Sequence, residues 1–200
     1  MKRPDEHISG VLLIGGSSRR FGSDKAVSRL EDGRSLIEHT FDTLRAVTSP
    51  ILISINEVGR TYPIEAHSTS VQYVVDEWSD CGPLAGIASA LQICKTQRIF
   101  VMAVDLPYVS RESCERMIAA SLAGANAPLT IAKGINSGKA QPLCGIWHQS
   151  VLGQLRQYID LGSRSVMGFL DQLSVNVIEL PDKELINVNR PTDIDSDQRG

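Results

Sequence analysis

Short apolar runs alternate with amphipathic helical segments along the 200 residues of this chain. The most apolar of these runs lie at 11–14, 51–55, 71–75 and 98–104, and each leads into a polar residue or a glycine. Strands that alternate with helices predict βαβ units, because parallel strands need a long crossover between them. The predicted fold is therefore α/β, with one mostly parallel sheet and helices on both faces. We expect residues 1–200 to form a single domain.

Helix-start signals support this alternation in the first half of the chain. Ser35 followed by Glu38 forms the pattern of a capping box and predicts a helix start. Gly82 followed by Pro83 predicts a second helix that runs to about Cys94, because proline is tolerated in the first helical turn. These segments separate the predicted strands as a parallel sheet requires.

The second half of the chain predicts a similar mixture of elements. The helix that begins at Ser110 is expected to stop at Gly124. Beyond it the patterns predict two strands joined by a turn, two helices and a last short strand, at 129–133, 141–147, 151–161, 163–173 and 175–180.

The segment from Val11 to Lys25 carries the densest set of ligand-binding residue types. A glycine pair at a strand end lets a ligand approach the backbone, because no Cβ stands in the way. The hydroxyl and basic side chains that follow suit a polyphosphate. The loop matches neither the ATPase phosphate loop nor the G-x-G-x-x-G dinucleotide fingerprint. Its candidate residues are Gly15, Gly16, Ser17, Arg19, Arg20 and Lys25.

Polar residues also follow three of the other predicted strands, namely Asn56, Asp76 and Asp105. Ligands of open α/β sheets bind outside the carboxyl ends of the strands, so we expect these residues to converge with the glycine loop. A carboxylate at position 105 could ligate Mg²⁺, which takes one or two carboxylates plus substrate phosphates, or it could cap the following segment. Asp76 also has two interpretations: it could contact the nucleotide, or it could cap the turn that follows it.

Composition excludes several classes of protein. The net charge of −3 argues against general nucleic-acid binding, and no apolar run approaches the length of a membrane span. Acidic residues precede the first apolar run, so the N-terminus does not predict a secretory signal. The four cysteines are widely spaced and form no C-x-x-C pair, which favours reduced thiols. We expect a cytoplasmic protein that binds neither nucleic acid nor membranes.

Four blocks of the sequence resemble the molybdenum cofactor guanylyltransferase family of nucleotidyltransferases. They read G-G-S-S-R-R-F-G-S-D-K at 15–25, V-V-D-E-W-S-D-C-G-P-L-A-G-I at 74–87, V-M-A-V-D-L-P-Y at 101–108 and N-V-N-R-P-T-D-I at 187–194. The first and third blocks are shared with the wider superfamily, whereas G-P-L-A-G and N-x-N-x-P narrow the match. The resemblance implies a Rossmann-like domain that transfers GMP from MgGTP to molybdenum-molybdopterin, with release of pyrophosphate.

The resemblance also implies roles for residues in these blocks. Arg19, Lys25 and Asp105 would be catalytic, with Asp105 as the Mg²⁺ ligand. The acceptor would contact Arg164, Asn187 and Asn189. The nucleotide would contact Lys25, Asp105, Leu13, Ile14, Gly15, Gly16, Ser17, Asp76, Gly82, Pro83, Leu84 and Asn56, although Ser54 could take the place of Asn56.

No histidine or cysteine stands in a nucleophile–base pattern, and this reaction needs none, because a phosphate monoester is largely ionised at about pH 7. The implied partners are GTP, a molybdopterin-type acceptor, proteins that deliver the cofactor, and molybdoenzymes. Two alternatives remain open. One is a related transferase that uses CTP or another phosphorylated acceptor, such as a sugar phosphate. The other is a nucleotide-binding regulator without turnover.

Overall fold

Seven strands form one sheet within the described part of the chain, which comprises residues 7–14, 24–65, 69–78, 81–124 and 127–189. The structure is a computed structural model. Across the sheet the strands lie in the order β3-β2-β1-β4-β6-β5-β7. Only β6 runs antiparallel to its neighbours in this sheet. The strands are β1 (Ile8–Leu13), β2 (Ile51–Ile55), β3 (Val71–Val75), β4 (Arg98–Ala103), β5 (Leu129–Gly134), β6 (Ala140–His148) and β7 (Val175–Leu180).

Helices cover both faces of this sheet. The α-helices are α1 (Leu36–Arg45), α2 (Pro83–Ile93), α3 (Arg111–Ala123), α4 (Leu152–Asp160) and α5 (Val166–Leu170). One hydrophobic cluster joins α1 and α3 to the sheet, and a second joins α2, α4 and α5 to the opposite face. The predicted mostly parallel α/β architecture is confirmed.

The capping box at the start of α1 forms as predicted. The Ser35 hydroxyl accepts a hydrogen bond from the Glu38 N–H, and the Glu38 carboxylate accepts one from the Ser35 N–H at 2.7 Å. This reciprocal pair satisfies two donors at the start of the helix. The apolar face of the helix, which includes Leu36 and Phe41, is then fully buried.

One predicted helix is wrong in its bounds. The segment 163–173 contains only the short helix α5, which begins after Ser165 and ends at Leu170. The Ser165 hydroxyl accepts a hydrogen bond from the Gly168 N–H at 3.0 Å and so acts as the N-cap. Two serines precede this helix, and the second takes the capping position because its side chain reaches the N–H three residues later.

The parallel strands place their carboxyl ends at one edge of the sheet. The chain leaves β1 for β2 on one side, whereas β4 lies on the other side of β1. The gap between β1 and β4 is therefore a topological switch point, where α/β sheets bind their ligands. The glycine-rich loop follows β1 and Asp105 follows β4, so both lead from the strands that flank this gap.

The four cysteines are free thiols, and Cys81, Cys114 and Cys144 are buried. Burial raises the pKa of the Cys144 thiol to about 12, so this side chain stays protonated and packs as an apolar group. Within the described ranges, no helix combines the length and apolarity that crossing a membrane requires.

Candidate active site

Lys25 and Asp105 form an ion pair at the carboxyl edge of the sheet. Lys25 Nζ lies 3.0 Å from Asp105 Oδ2, and the two side chains are 17% and 21% exposed. Lys25 begins the 3₁₀ turn Lys25–Val27, whereas Asp105 lies in the turn after β4. The fold thus joins two predicted catalytic residues that lie 80 positions apart in sequence.

The C-terminal segment contacts this ion pair directly. Lys25 Nζ also donates a hydrogen bond to Asn189 Oδ1 at 3.0 Å, and the Val188 N–H donates to the Asp105 carbonyl at 3.0 Å. Val188 is fully buried, which anchors the segment. Asn187 beside it accepts a hydrogen bond from Gln141 Nε2 at 2.6 Å. The predicted nucleotide and acceptor residues therefore meet at Lys25.

The Asp105 carboxylate fits a ligand for Mg²⁺. Its Oδ1 atom is buried, and no described residue donates a hydrogen bond to it. Such an oxygen is costly to bury unless a partner compensates it, and a divalent cation is such a partner. Within the described ranges, no group of three or more carboxylate, histidine or cysteine side chains could hold a metal. A metal at Asp105 would therefore draw its other ligands from substrate phosphates and water, as Mg²⁺ commonly does.

Asp76 occupies a second position on the same edge. Ser54 Oγ donates a hydrogen bond to Asp76 Oδ1 at 2.7 Å, and Ser54 is 2% exposed. Burial raises the pKa of the Asp76 carboxyl, and the hydrogen bond from Ser54 opposes that shift. Three strand spacings separate β3 from β4, so Asp76 and Asp105 lie about 14 Å apart across the edge. An extended nucleotide can span this separation.

Ser54 is the alternative to Asn56 as a nucleotide contact, and its hydroxyl contacts the predicted site residue Asp76. Asn56 lies just beyond β2 and is exposed. Leu13, the last residue of β1, packs in the core. Ile14 follows it, and the Ile14 N–H donates a hydrogen bond to the Ser54 carbonyl at 3.4 Å. Gly15, Gly16, Ser17 and Arg19 lie outside the described residues.

Glycines in and beside the first turns of α2 let this helix lie close to the carboxyl edge of the sheet. Gly82 is the N-cap and has a φ of 59°, in the left-handed region that favours glycine. Pro83 follows it as the first helical residue. The Leu84 side chain is fully buried, so a ligand could meet only its backbone. A Cβ on Gly86 would lie 2.3 Å from Ser54 Oγ, so glycine at this position lets α2 pack against β2.

Arg164 lies after α4 and contacts the end of that helix. Its Nη1 donates hydrogen bonds to the carbonyls of Ile159 and Ser163, each at 3.0 Å. These contacts complete the C-terminal end of the helix. The contacts of the described residues do not connect Arg164 to the Lys25–Asp105 pair, and its role at the acceptor stays a prediction.

Sequence reasoning missed three residues that contact the base of the Lys25 turn. Asp24 Oδ1 accepts a hydrogen bond from the Ala26 N–H at 3.1 Å and caps the turn, while its Oδ2 accepts one from Arg60 Nη2. Tyr62 is buried beside them. An aspartate just before Lys25 is a recognisable N-cap signal. Arg60 carried no signal, because it lies 36 positions away in a segment without periodicity.

A mostly parallel sheet with an acidic residue beside a lysine at its topological switch point is typical of a nucleotide-binding α/β protein. The family model for the MobA-like NTP transferase domain matches residues 10–177. The chain belongs to this family of nucleotidyltransferases.

Individual relatives agree with this assignment. A "Probable molybdenum cofactor guanylyltransferase" of Geobacillus sp. (strain WCH70) is 31% identical over 198 residues, which cover 94% of this chain and 96% of the relative. A "Molybdenum cofactor guanylyltransferase" of Shewanella piezotolerans is 28% identical, covering 92% of this chain and 88% of the relative.

The fold also agrees with solved structures. Molybdopterin-guanine dinucleotide biosynthesis protein A from Archaeoglobus fulgidus has a TM-score of 0.70 at 21% identity, covering 94% of this chain and 95% of that chain. This likeness confirms the α/β fold predicted from the sequence.

Proposed function

We propose that this enzyme transfers GMP from MgGTP to molybdenum-molybdopterin, giving the molybdopterin guanine dinucleotide cofactor and pyrophosphate. Family membership and the guanylyltransferase names of its relatives support this reaction. The observation that carries it is the position of Lys25 Nζ, which is 3.0 Å from both Asp105 Oδ2 and Asn189 Oδ1. One cation thus connects a residue suited to the nucleotide with one suited to the acceptor.

Lys25 would act on the triphosphate. Its amine pairs with the Asp105 carboxylate, and a triphosphate offers it more negative charge and stronger hydrogen-bond acceptors. Phosphoryl-group transfer depends on positioned positive charge, because charge spreads over the phosphate oxygens in the transition state. Arg19 would assist from the same loop.

Asp105 would hold Mg²⁺ through its buried Oδ1. The metal, when bound, neutralises negative charge on the phosphate oxygens. Asp105 Oδ2 would continue to orient Lys25, so that the two oxygens of one carboxylate serve different partners. This division fits a site in which a single protein carboxylate is combined with substrate phosphates.

Asn187 and Asn189 would bind the acceptor. Both present neutral amides, which bind a phosphorylated substrate without adding negative charge beside it. The acceptor phosphate is already ionised and attacks without a general base, so the residues have only to align its oxygen with the α-phosphorus. Alignment alone contributes a large part of the rate in such reactions.

Asp76 would bind the nucleoside at the far end of the edge. Its carboxylate, held by Ser54, can accept hydrogen bonds from N–H or O–H groups. The backbone around Gly15, Gly16, Gly82, Pro83 and Leu84 would enclose the base. The glycine pair favours guanine, because it frees backbone groups to contact a purine edge.

A matrix of nucleotides and acceptors tests this function. Pyrophosphate release is measured with GTP, CTP or ATP, each with and without molybdenum-molybdopterin or a sugar phosphate. We expect release only with GTP and the molybdopterin acceptor. Faster release with CTP or a sugar phosphate would support the alternative transferase, and binding without release would support a regulator.

In the cytoplasm, delivery proteins would supply the acceptor and molybdoenzymes would receive the product.

A further inference from the structure

The residue before Lys25 has both carboxylate oxygens engaged. Asp24 Oδ1 accepts a hydrogen bond from the Ala26 N–H at 3.1 Å, and Oδ2 accepts one from Arg60 Nη2. The Asp24 carbonyl also accepts a hydrogen bond from the Val27 N–H at 3.3 Å. The turn that carries Lys25 is therefore fixed to Asp24 at two points, and Asp24 in turn is fixed to Arg60.

Arg60 is itself held by the segment that follows β2. Its Cζ lies 5.5 Å from the centroid of the Tyr62 ring, within the range of a cation–π contact. Tyr62 is only 8% exposed, and its N–H donates a hydrogen bond to Tyr73 Oη at 3.0 Å. Because Tyr73 belongs to β3, the segment is attached to the edge strand of the sheet.

Tyr62 is the residue against which Arg60 packs. Burial raises the pKa of its hydroxyl, and the negative charge of Asp24 raises that pKa further, so the phenol stays neutral in the physiological pH range. Asp24 is therefore held by the Ala26 N–H and the Arg60 guanidinium, and Tyr62 supports the guanidinium from the segment after β2.

This arrangement matters because lysine has a long, flexible side chain whose ordering costs entropy. The position of Lys25 Nζ depends on where its turn lies, and that turn follows directly from the glycine-rich loop. A displacement of about 1 Å at a transfer site can cost about 100-fold in rate. A contact that fixes the turn would then affect turnover without touching the substrate.

We propose that Arg60 and Tyr62 are positioning residues: Arg60 holds the Asp24 carboxylate, Tyr62 supports Arg60, and together they fix the turn from which Lys25 reaches Asp105. The inference rests on the proposed function, since Lys25 acts there on the triphosphate. The proposal gives a role in the reaction to the segment after β2. Neither the sequence motifs nor the family match assigns that segment to the reaction.

Arg60→Met and Tyr62→Leu test the inference, with Arg111→Met as the control. Arg111 forms an ion pair with Glu115 within α3 and is more exposed than Arg60. We expect Arg60→Met to lower kcat about tenfold and Tyr62→Leu, which removes the ring beside the guanidinium, to lower it less. Tyr62→Phe keeps this ring and should keep kcat close to that of the wild type, and Arg60→Lys should recover part of the loss, because it restores the charge. The Arg111→Met control should leave kcat unchanged, and the Arg60 variants and Tyr62→Phe should keep thermal midpoints close to that of the wild type.

A double-mutant cycle then shows whether Arg60 acts through Asp24. If it does, Arg60→Met should change kcat by less than about twofold when Asp24→Asn is already present. Full tenfold losses in both backgrounds, or an unchanged kcat for Arg60→Met alone, would overturn the inference.

The proposed function can fail separately from this inference. Activity is measured with whichever triphosphate and acceptor turn over fastest in the matrix described above. If no pair turns over, the same cycle is measured on the Kd of Mg²⁺-GTP by calorimetry. Arg60→Met should weaken the binding of Mg²⁺-GTP in the wild-type background but not in the Asp24→Asn background. That result would support positioning even if the proposed transfer reaction were incorrect. Equal affinities across the cycle would overturn it.

Discussion

Gly86 on α2 lies so close to Ser54 on β2 that a β-carbon at position 86 would come within 2.3 Å of the Ser54 hydroxyl oxygen. That hydroxyl donates to Asp76 at the end of β3, with an oxygen–oxygen distance of 2.7 Å. The packing of α2 against the sheet therefore shapes the end of the candidate site at which we propose that Asp76 binds the nucleoside. Glycine at position 86 therefore leaves room for the Ser54 hydroxyl to donate its hydrogen bond to Asp76.

Gly86→Ala should destabilise the protein and weaken nucleotide binding. The added methyl group meets a buried side chain, and overpacking of this kind costs about 1–3 kcal/mol. Gly153→Ala is the matched control, because Gly153 lies in α4 and, apart from its chain neighbours and the backbone of its own helix, no atom lies within 4 Å of its ideal Cβ position. The control should gain up to about 1 kcal/mol from helix propensity. Denaturant unfolding measures both, and equal stabilities would contradict the packing argument.

Asp76 should make stability depend on pH in a direction unusual for a carboxylate. Burial raises its folded-state pKa above the ordinary 3.8, so the folded protein favours the protonated form. Its contribution to stability is present below 3.8 and is lost as pH rises through the raised pKa. The thermal midpoint of Asp76→Asn, minus that of the wild type, should therefore increase across this window. Parallel midpoint curves would show that Asp76 is not desolvated.

Lys25→Ala should lower turnover far more than it lowers stability. Loss of one positioned charge at a transfer site costs about 3 kcal/mol, or about 100-fold in kcat. The two side chains of the pair with Asp105 are 17% and 21% exposed, so solvent still screens the pair, and we expect its loss to cost less in folding than in turnover. Lys133→Ala, which breaks an ion pair with Glu179 on β7, serves as the control and should leave kcat unchanged. Near-wild-type turnover of Lys25→Ala would remove this residue from the mechanism.

Local and periodic features of the fold could be predicted from the sequence. The alternation of strands and helices, the capping box at Ser35 and the carboxylate after β4 all depend on nearby residues, and the structure has them as expected. The start of α5 differs from the prediction because Ser163 and Ser165 carry the same capping signal, and only the observed hydrogen bond from the Gly168 N–H to the Ser165 hydroxyl selects between them.

Long-range contacts within the site could not be predicted. The pairs Asp24–Arg60 and Ser54–Gly86 each join two segments whose approach depends on the whole sheet. No spacing rule relates such residues, since their distance in space is independent of their separation along the chain. The meeting of Lys25 with Asn189, 164 positions apart, became visible only through the fold.

Asp105→Asn should separate metal binding from capping. Asparagine keeps a similar shape and a neutral acceptor oxygen, and it caps helices and turns about as well as aspartate. It lacks the charge that Mg²⁺ requires, so the variant should need far more Mg²⁺ to reach any given rate. Rates across a Mg²⁺ titration, with the thermal midpoint on the same preparation, would decide. Full turnover with an unchanged Mg²⁺ dependence would exclude Asp105 as the ligand and leave Asp76 as the candidate.

The fate of the α-phosphate shows whether this protein transfers a nucleotidyl group. The enzyme is incubated with Mg²⁺, molybdenum-molybdopterin and GTP labelled at either the α- or the γ-phosphate, and the products are separated. We predict that the α-label enters a dinucleotide product while the γ-label leaves in pyrophosphate, one for one. Release of the γ-label as inorganic phosphate, or no α-label in any product formed with the acceptor, would contradict nucleotidyl transfer.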